Sequence, residues 1–194
     1  MKPNWDKTIK LPSRQYTCGH CNQSLVSDDG YIGGYTDYRF GKRISFIYIC
    51  HYCGRPTSFD ENDKQVPGAV FGEKVKHITN ADIETLYEEA KKCYSFSAFT
   101  SVVMCCRKLL MNISVAEGAT EGESFVFYVN YLNDNGHIPK NGRQWVDSIR
   151  RLGNEANHSI SLKTAEEAKL ILTFTGMLLK FIYEIPGLLG TQEN

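Results

Sequence analysis

The stretch Ile149-Arg150-Arg151-Leu152-Gly153-Asn154-Glu155-Ala156-Asn157-His158 sets two arginines, an asparagine and a histidine between apolar, helix-like sequence. Its reading decides how the C-terminal half is built. Trp145, Ile149 and Leu152 repeat at helical spacing on the way in, and Glu155 and Ala156 favour continuation, so one unbroken helix is expected. At about 100° per residue, Arg151 and His158 then fall within about 20° of one another, Asn154 lies one turn before His158, and Arg150 sits about 80° off that face. The alternative is a stop at Gly153-Asn154, since glycine readily follows a last turn; His158 would then lie in a turn. A core helix has no need of this residue set. A phosphate site uses all of it: arginine grips phosphate as a fork, histidine moves protons near neutral pH, and glycine lets backbone come close.

Around this stretch the chain reads as helices from Thr79 onward. Thr79-Asn80-Ala81-Asp82 opens the first, followed by Ile83, Leu86, Tyr87 and Ala90. A second covers about Ala98 to Ser114 and a third about Ser124 to Leu132, stopped by Asn133-Asp134-Asn135-Gly136. Thr164 with Glu167 is a capping-box signature for a last helix, expected to run to about Tyr183 and stop at Pro186-Gly187.

The N-terminal part reads differently. Residues 14–60 form a β-rich module with two knuckles, Cys18-Gly19-His20-Cys21 and Cys50-His51-Tyr52-Cys53, and Ile44–Ile49 is a β-branched, aromatic strand. Two Cys-x-x-Cys pairs supply four thiolates, a closed tetrahedral set for one structural zinc per chain, with no open position for catalytic water. The 28 residues between the pairs exceed the commonest compact spacing, and a hairpin with a longer excursion accommodates them. His20 and His51 read as bystanders, and a redox role for the cysteine pairs is the weaker alternative. Cys93, Cys105 and Cys106 sit among apolar helical neighbours and read as small buried hydrophobes. The module's Tyr31, Tyr35, Tyr38, Phe40, Phe46, Tyr48 and Tyr52, interleaved with Arg39, Lys42 and Arg43, admit two readings: stacking of single-stranded nucleic acid, or rings filling a small core. Residues 61–78, with Pro67, Gly68 and Gly72, read as a linker or loop, and residues 79–187 as the helical domain. The fold class is therefore α+β, a mainly helical bundle with a small β zinc ribbon.

The bulk numbers bound the function. At 194 residues and 42% apolar the chain suits one domain with a small appendage. A formal net charge of zero argues against broad electrostatic capture of nucleic acid, so any such binding comes from a local patch. Met1–Asp6 carries no apolar signal core, and the run Leu170–Leu179 is too short to span a bilayer. The expectation is a reduced cytoplasmic protein with no membrane partner, in which four of seven cysteines hold metal rather than disulfides.

Together these features resemble a branch of the HEPN superfamily (higher eukaryotes and prokaryotes nucleotide-binding domains), found alone or fused in bacterial defence proteins and often preceded by zinc knuckles. The likeness extends to Glu88-Glu89-Ala90, Cys106-Arg107-Lys108-Leu109-Leu110, the Leu132–Ile138 turn, Trp145 and Pro186, and covers about residues 79–187. It implies a HEPN-like bundle, RNA or nucleotide phosphate as ligand, and a homodimer with the motifs facing each other. It further implies a metal-independent endoribonuclease in which His158 moves the proton as a ribose 2′-hydroxyl attacks the neighbouring phosphate. Arg151 or Arg150 would steady the phosphate charge, and Asn154 would position it. The family pattern is an arginine, four to six residues, then histidine, with an asparagine often directly after the arginine. Here Gly153 precedes Asn154, and the arginines lie upstream. One competing reading is a non-enzymatic module binding nucleic acid, nucleotide or a protein partner, in which the same arginines and histidine contact phosphate without cutting. Another is purely structural, a dimerisation face with the arginines paired to Asp147 and Glu155.

Overall fold

The computed structural model describes residues 2–37, 41–139, 143–158 and 162–190; at 35–37, 41–43, 143–144 and 153–158 the description is of backbone only. The chain divides into two compact units, residues 1–70 and 71–194. The fold is α+β: an antiparallel sheet in the first unit and a helical bundle in the second.

The first unit is a meander of β1 (Ile9–Thr17), β2 (Ser24–Asp37), β3 (Gly41–Ile49), β4 (Pro56–Phe59) and β5 (Gln65–Val66), each paired with the next. Ile44–Ile49 lies in β3, as its composition indicates. The sheet reaches beyond 14–60 at both ends. Ile9 pairs with Gly30 in the first ladder, and Gln65 and Val66 pair with Phe59 and Ser58 in the last. Part of the stretch read as a linker is therefore sheet, because its Pro and Gly residues flank a short strand. The unit's core is small: Leu11, Tyr16, Leu25, Tyr48 and Phe59, with Cys18 and Cys50. The rings of Tyr16, Tyr48 and Phe59 meet one another at 5.5–6.1 Å, and the Arg14 guanidinium lies 4.2 Å from the Phe59 ring centre. At Tyr48, then, the core-filling reading of the aromatics holds; Tyr52 is half exposed, and the side chains of Tyr35, Tyr38, Phe40, Arg39, Lys42 and Arg43 lie outside the described residues.

The second unit contains α1 (Ala81–Ser95), α2 (Phe99–Ala116), α3 (Phe125–Asp134), α4 (Arg143–His158), α5 (Ala165–Leu179), a π-helical turn (Lys180–Glu184) and α6 (Ile185–Leu189). Asn80 caps α1, its side chain accepting from the N–H groups of Asp82 and Ile83. Ser124 caps α3, and Thr164 and Glu167 form the full capping box on α5. α2 is the central helix. It packs on α1, α3, α4 and α5 through Val102, Val103, Cys106, Leu109, Leu110 and Ile113, all buried. Ser114 ties α2 to α3 by donating to Leu110 O and Tyr128 O. Cys106 is fully buried, and burial pushes its thiol up to about 12; Cys93 and Cys105 are half-buried against the same core.

The last helix does not stop at Tyr183. Pro186 has no N–H, and its ring would meet the carbonyl four residues back in a regular helix. The chain widens instead: the Ile185 N–H donates to Lys180 O, five residues back, and Pro186 sits in the first turn of α6. The stop comes at Gly190, in the left-handed region. The run Ala165–Leu189 is thus longer than its apolar centre indicated. It and α2 are both long and apolar enough to cross a membrane by length and composition alone, and in this fold the two pack on each other.

Candidate metal centre and the arginine face of helix α4

The meander explains how cysteines so far apart in sequence meet. Cys18 and Cys21 lie in the turn from β1 to β2, and Cys50 and Cys53 in the turn from β3 to β4. In a meander these two turns fall at the same end of the sheet. The long β2–β3 hairpin travels away and returns, so the 28 intervening residues impose no separation. The two knuckles repeat one geometry. Asn22 N–H donates to Cys18 O at 2.8 Å and Gly54 N–H to Cys50 O at 2.7 Å. Each knuckle then closes on a left-handed residue, Asn22 or Gly54.

The four sulfurs lie within 4.8 Å of one another, Cys18 Sγ to Cys53 Sγ at 3.8 Å and Cys21 Sγ to Cys50 Sγ at 3.7 Å. A disulfide would bring sulfurs to about 2.05 Å. A tetrahedron of sulfurs about 2.3 Å from a central zinc has an edge of about 3.8 Å. The observed pairs match the second figure, so these residues fit a four-coordinate ion, and they can hold one metal. Four thiols this close resist ionising together. Cys21 is pushed up to about 12 and Cys53 is raised, in both chiefly by burial. At Cys18, too, burial acts upward, but N–H groups of His20 and Cys21 outweigh it and leave the thiol below its usual value.

The histidines in the knuckles face elsewhere. His20 Nε2 lies 3.0 Å from Pro56 O, and the His51 ring lies tilted against Tyr52, their centres 4.3 Å apart. Two surrounding supports were not legible in the motifs. Trp5 Nε1 donates to Gly54 O at 2.6 Å, and Gln65 Nε2 bridges Thr17 O and Pro67 O, each bracing one knuckle. The buried hydroxyls of Tyr16 and Thr57 face each other beside this cluster.

The second candidate lies on α4. The helix runs unbroken from Arg143 to His158, through Gly153-Asn154. Val146, Ile149 and Leu152 are buried against the core. The two arginines then part company. Arg150 Nη1 donates to Asp147 Oδ1 at 2.9 Å, and Nη2 donates to Asn130 Oδ1 on α3. Arg150 and Asp147 line an open cleft of about 580 Å³ together with Asn130, Asn133 and Asp134. Arg150 is therefore held by a helix-to-helix contact in acidic surroundings. Arg151 is exposed. By helical register it shares a face with positions 154 and 158. The side chains of Asn154, Glu155 and His158 lie outside the described residues.

Neither the curated proteins nor the solved structures compared with the chain give a match. A family model described as "Domain of unknown function (DUF4145)" matches residues 88–192, from within α1 past α6. That is more than half of the sequence, and on it the chain belongs to the DUF4145 family.

Proposed function

We propose that this is a zinc-stabilised RNA-binding protein of HEPN type, in which the polar face of α4 engages the phosphate backbone. The observation that carries the reading is the division of labour on α4. Arg150 is committed to Asp147 and Asn130, while Arg151 is exposed on the face whose register includes 154 and 158. An exposed arginine offers a planar fork that phosphate oxygens satisfy, and the overall neutrality of the chain restricts binding to such a local patch.

The reaction these residues are suited to is cleavage of the strand. His158 accepts the proton of a ribose 2′-hydroxyl as that oxygen attacks the adjacent phosphorus. The bond to the 5′ oxygen breaks, and that oxygen regains a proton, leaving a 2′,3′-cyclic phosphate and a 5′-hydroxyl. Arg151 offsets charge gathering on the non-bridging oxygens, and Asn154 donates a further hydrogen bond. The role assigned to zinc is structural: four thiolates fill the coordination sphere and close two turns of a unit whose own core is small. Free thiols at non-disulfide distances accord with a reduced, cytoplasmic setting.

The test is incubation of purified protein with several RNA classes, in chelator too dilute to strip the cluster, beside His158→Ala. Products with cyclic phosphate ends that vanish in the variant support the reading. Equal products from both proteins, or none from either, remove catalysis from it.

A second reading, a homodimer through the helical unit, draws on a different observation. Half-exposed Trp145 and Leu170, with Ile149, Phe174 and Met177, surround an apolar hollow of about 240 Å³. An exposed apolar patch lined by an indole is a surface that a second copy can cover across a two-fold axis. Sedimentation at two concentrations decides it: a dimer lost in Trp145→Glu supports the interface, and a monomer throughout excludes it.

A further inference from the structure

A second cleft, of about 350 Å³, lies at the C-terminal end of α2 and carries chemistry the arginine face does not use. Its polar residues are Glu117, which ends α2, and His137, in the turn after α3. His137 Nδ1 and Glu117 Oε2 stand 3.9 Å apart, with about a quarter of each side chain exposed. That is too far for a hydrogen bond between them, so both retain capacity for a third group. Pro139, Pro186, Ile182 and Phe181 form the apolar walls, and Phe181 is 45% exposed.

The wall containing Phe181 and Ile182 is the π-helical turn Lys180–Glu184. Such turns are rare and recur at functional sites, because the extra residue re-aims neighbouring side chains. Contacts with the segment before α1 hold it at both ends. Lys180 Nζ meets Glu73 Oε2 at 2.8 Å, and Lys76 N–H donates to Glu184 Oε2 at 2.8 Å. Glu117 is fixed independently, the Tyr131 hydroxyl donating to its backbone carbonyl at 2.8 Å.

We propose that this cleft is a nucleobase subsite that takes a purine, with guanine the best fit. The proposal deepens the RNA reading by naming a base for it to recognise. Guanine presents two adjacent N–H donors, which one carboxylate accepts together, beside an oxygen that an imidazole N–H satisfies. Flat apolar walls and an exposed phenyl ring supply a stacking surface for any base. The carboxylate therefore sets the preference, and the ring supplies much of the affinity.

The experiment titrates the full chain with guanosine, inosine, adenosine, cytidine and uridine, followed by calorimetry or amide chemical shifts. Nucleosides lack phosphate, so Arg151 takes no part, and success or failure here is separate from that of the backbone reading. The expected result is guanosine binding that exceeds inosine, which lacks the amine, and exceeds both pyrimidines. Binding falls about tenfold in Glu117→Gln and in Phe181→Ala, with unchanged melting temperatures. Glu117→Gln preserves shape at a partly exposed position, so the test stands even where Phe181→Ala fails to fold. Absence of nucleoside binding by the wild type, or binding that Glu117→Gln retains, overturns the proposal. So does agmatine, a guanidinium probe, binding where guanosine does not: that outcome assigns the cleft to a cation.

Discussion

At the scale of the residue, adjacent positions on α4 have opposite fates. Arg150 is anchored to Asn130 and Asp147, with the Asp147 carboxylate largely exposed. The ion pair itself is therefore screened, and the contact across to α3 matters more. Arg150→Ala is expected to lower stability by about 1 kcal/mol, measured by denaturant titration, and to leave RNA affinity unchanged. Glycine at position 19 is a second case. A Cβ there would stand 2.3 Å from Gly68 O and 2.6 Å from Pro67 O, both backbone. Gly19→Ala must displace the loop that braces the first knuckle, and a loss of about 1–3 kcal/mol is expected, with weaker metal retention in a chelator competition. The motif showed which residue types gather on α4 but not which arginine faces outward. That choice depends on Asn130, twenty residues away, and no local pattern contains it.

At the scale of the element, caps and turns were the most legible features. The Asn80 cap of α1 and the Thr164–Glu167 box stand where sequence places them, because capping is local chemistry. Glu167 makes it testable. The Thr164 backbone N–H, foremost, with the Lys163 charge adding to it, holds the Glu167 carboxyl below its usual value. A folded value below the unfolded one means the stabilisation is present above the unfolded value of about 4.3 and is lost as pH falls through the folded value. Glu167→Ala is thus expected to cost about 0.5–1 kcal/mol at neutral pH, and the difference from wild type should close as pH drops below about 4. The end of the last helix is ambiguous for a local reason too. Pro186-Gly187 reads as a stop, but a proline can also follow a π-helical turn into a new helical start, and the sequence pattern is identical for both.

At the scale of the whole molecule, the α+β division and the four-cysteine cluster could be read from spacing, while the details that complete the site could not. Meander topology makes the distance between the knuckles irrelevant, and the braces from Trp5 and Gln65 come from segments with no motif of their own. The metal account predicts one zinc per chain by mass spectrometry of the purified protein, and metal content falling to near zero in Cys50→Ser. Because metal binding in such small units is folding free energy of about 10–16 kcal/mol, the sheet's near-ultraviolet signal should go with it. Iron in place of zinc would keep the cluster and change the assignment.

The most direct test of the central claim is the affinity for single-stranded RNA of the wild type and Arg151→Ala across a range of salt. If α4 engages phosphate through this exposed arginine, the variant binds more weakly by about tenfold at low salt, and its dependence on log salt is shallower by about one contact. Equal affinity and equal slope for the two proteins would contradict a phosphate-binding face on α4.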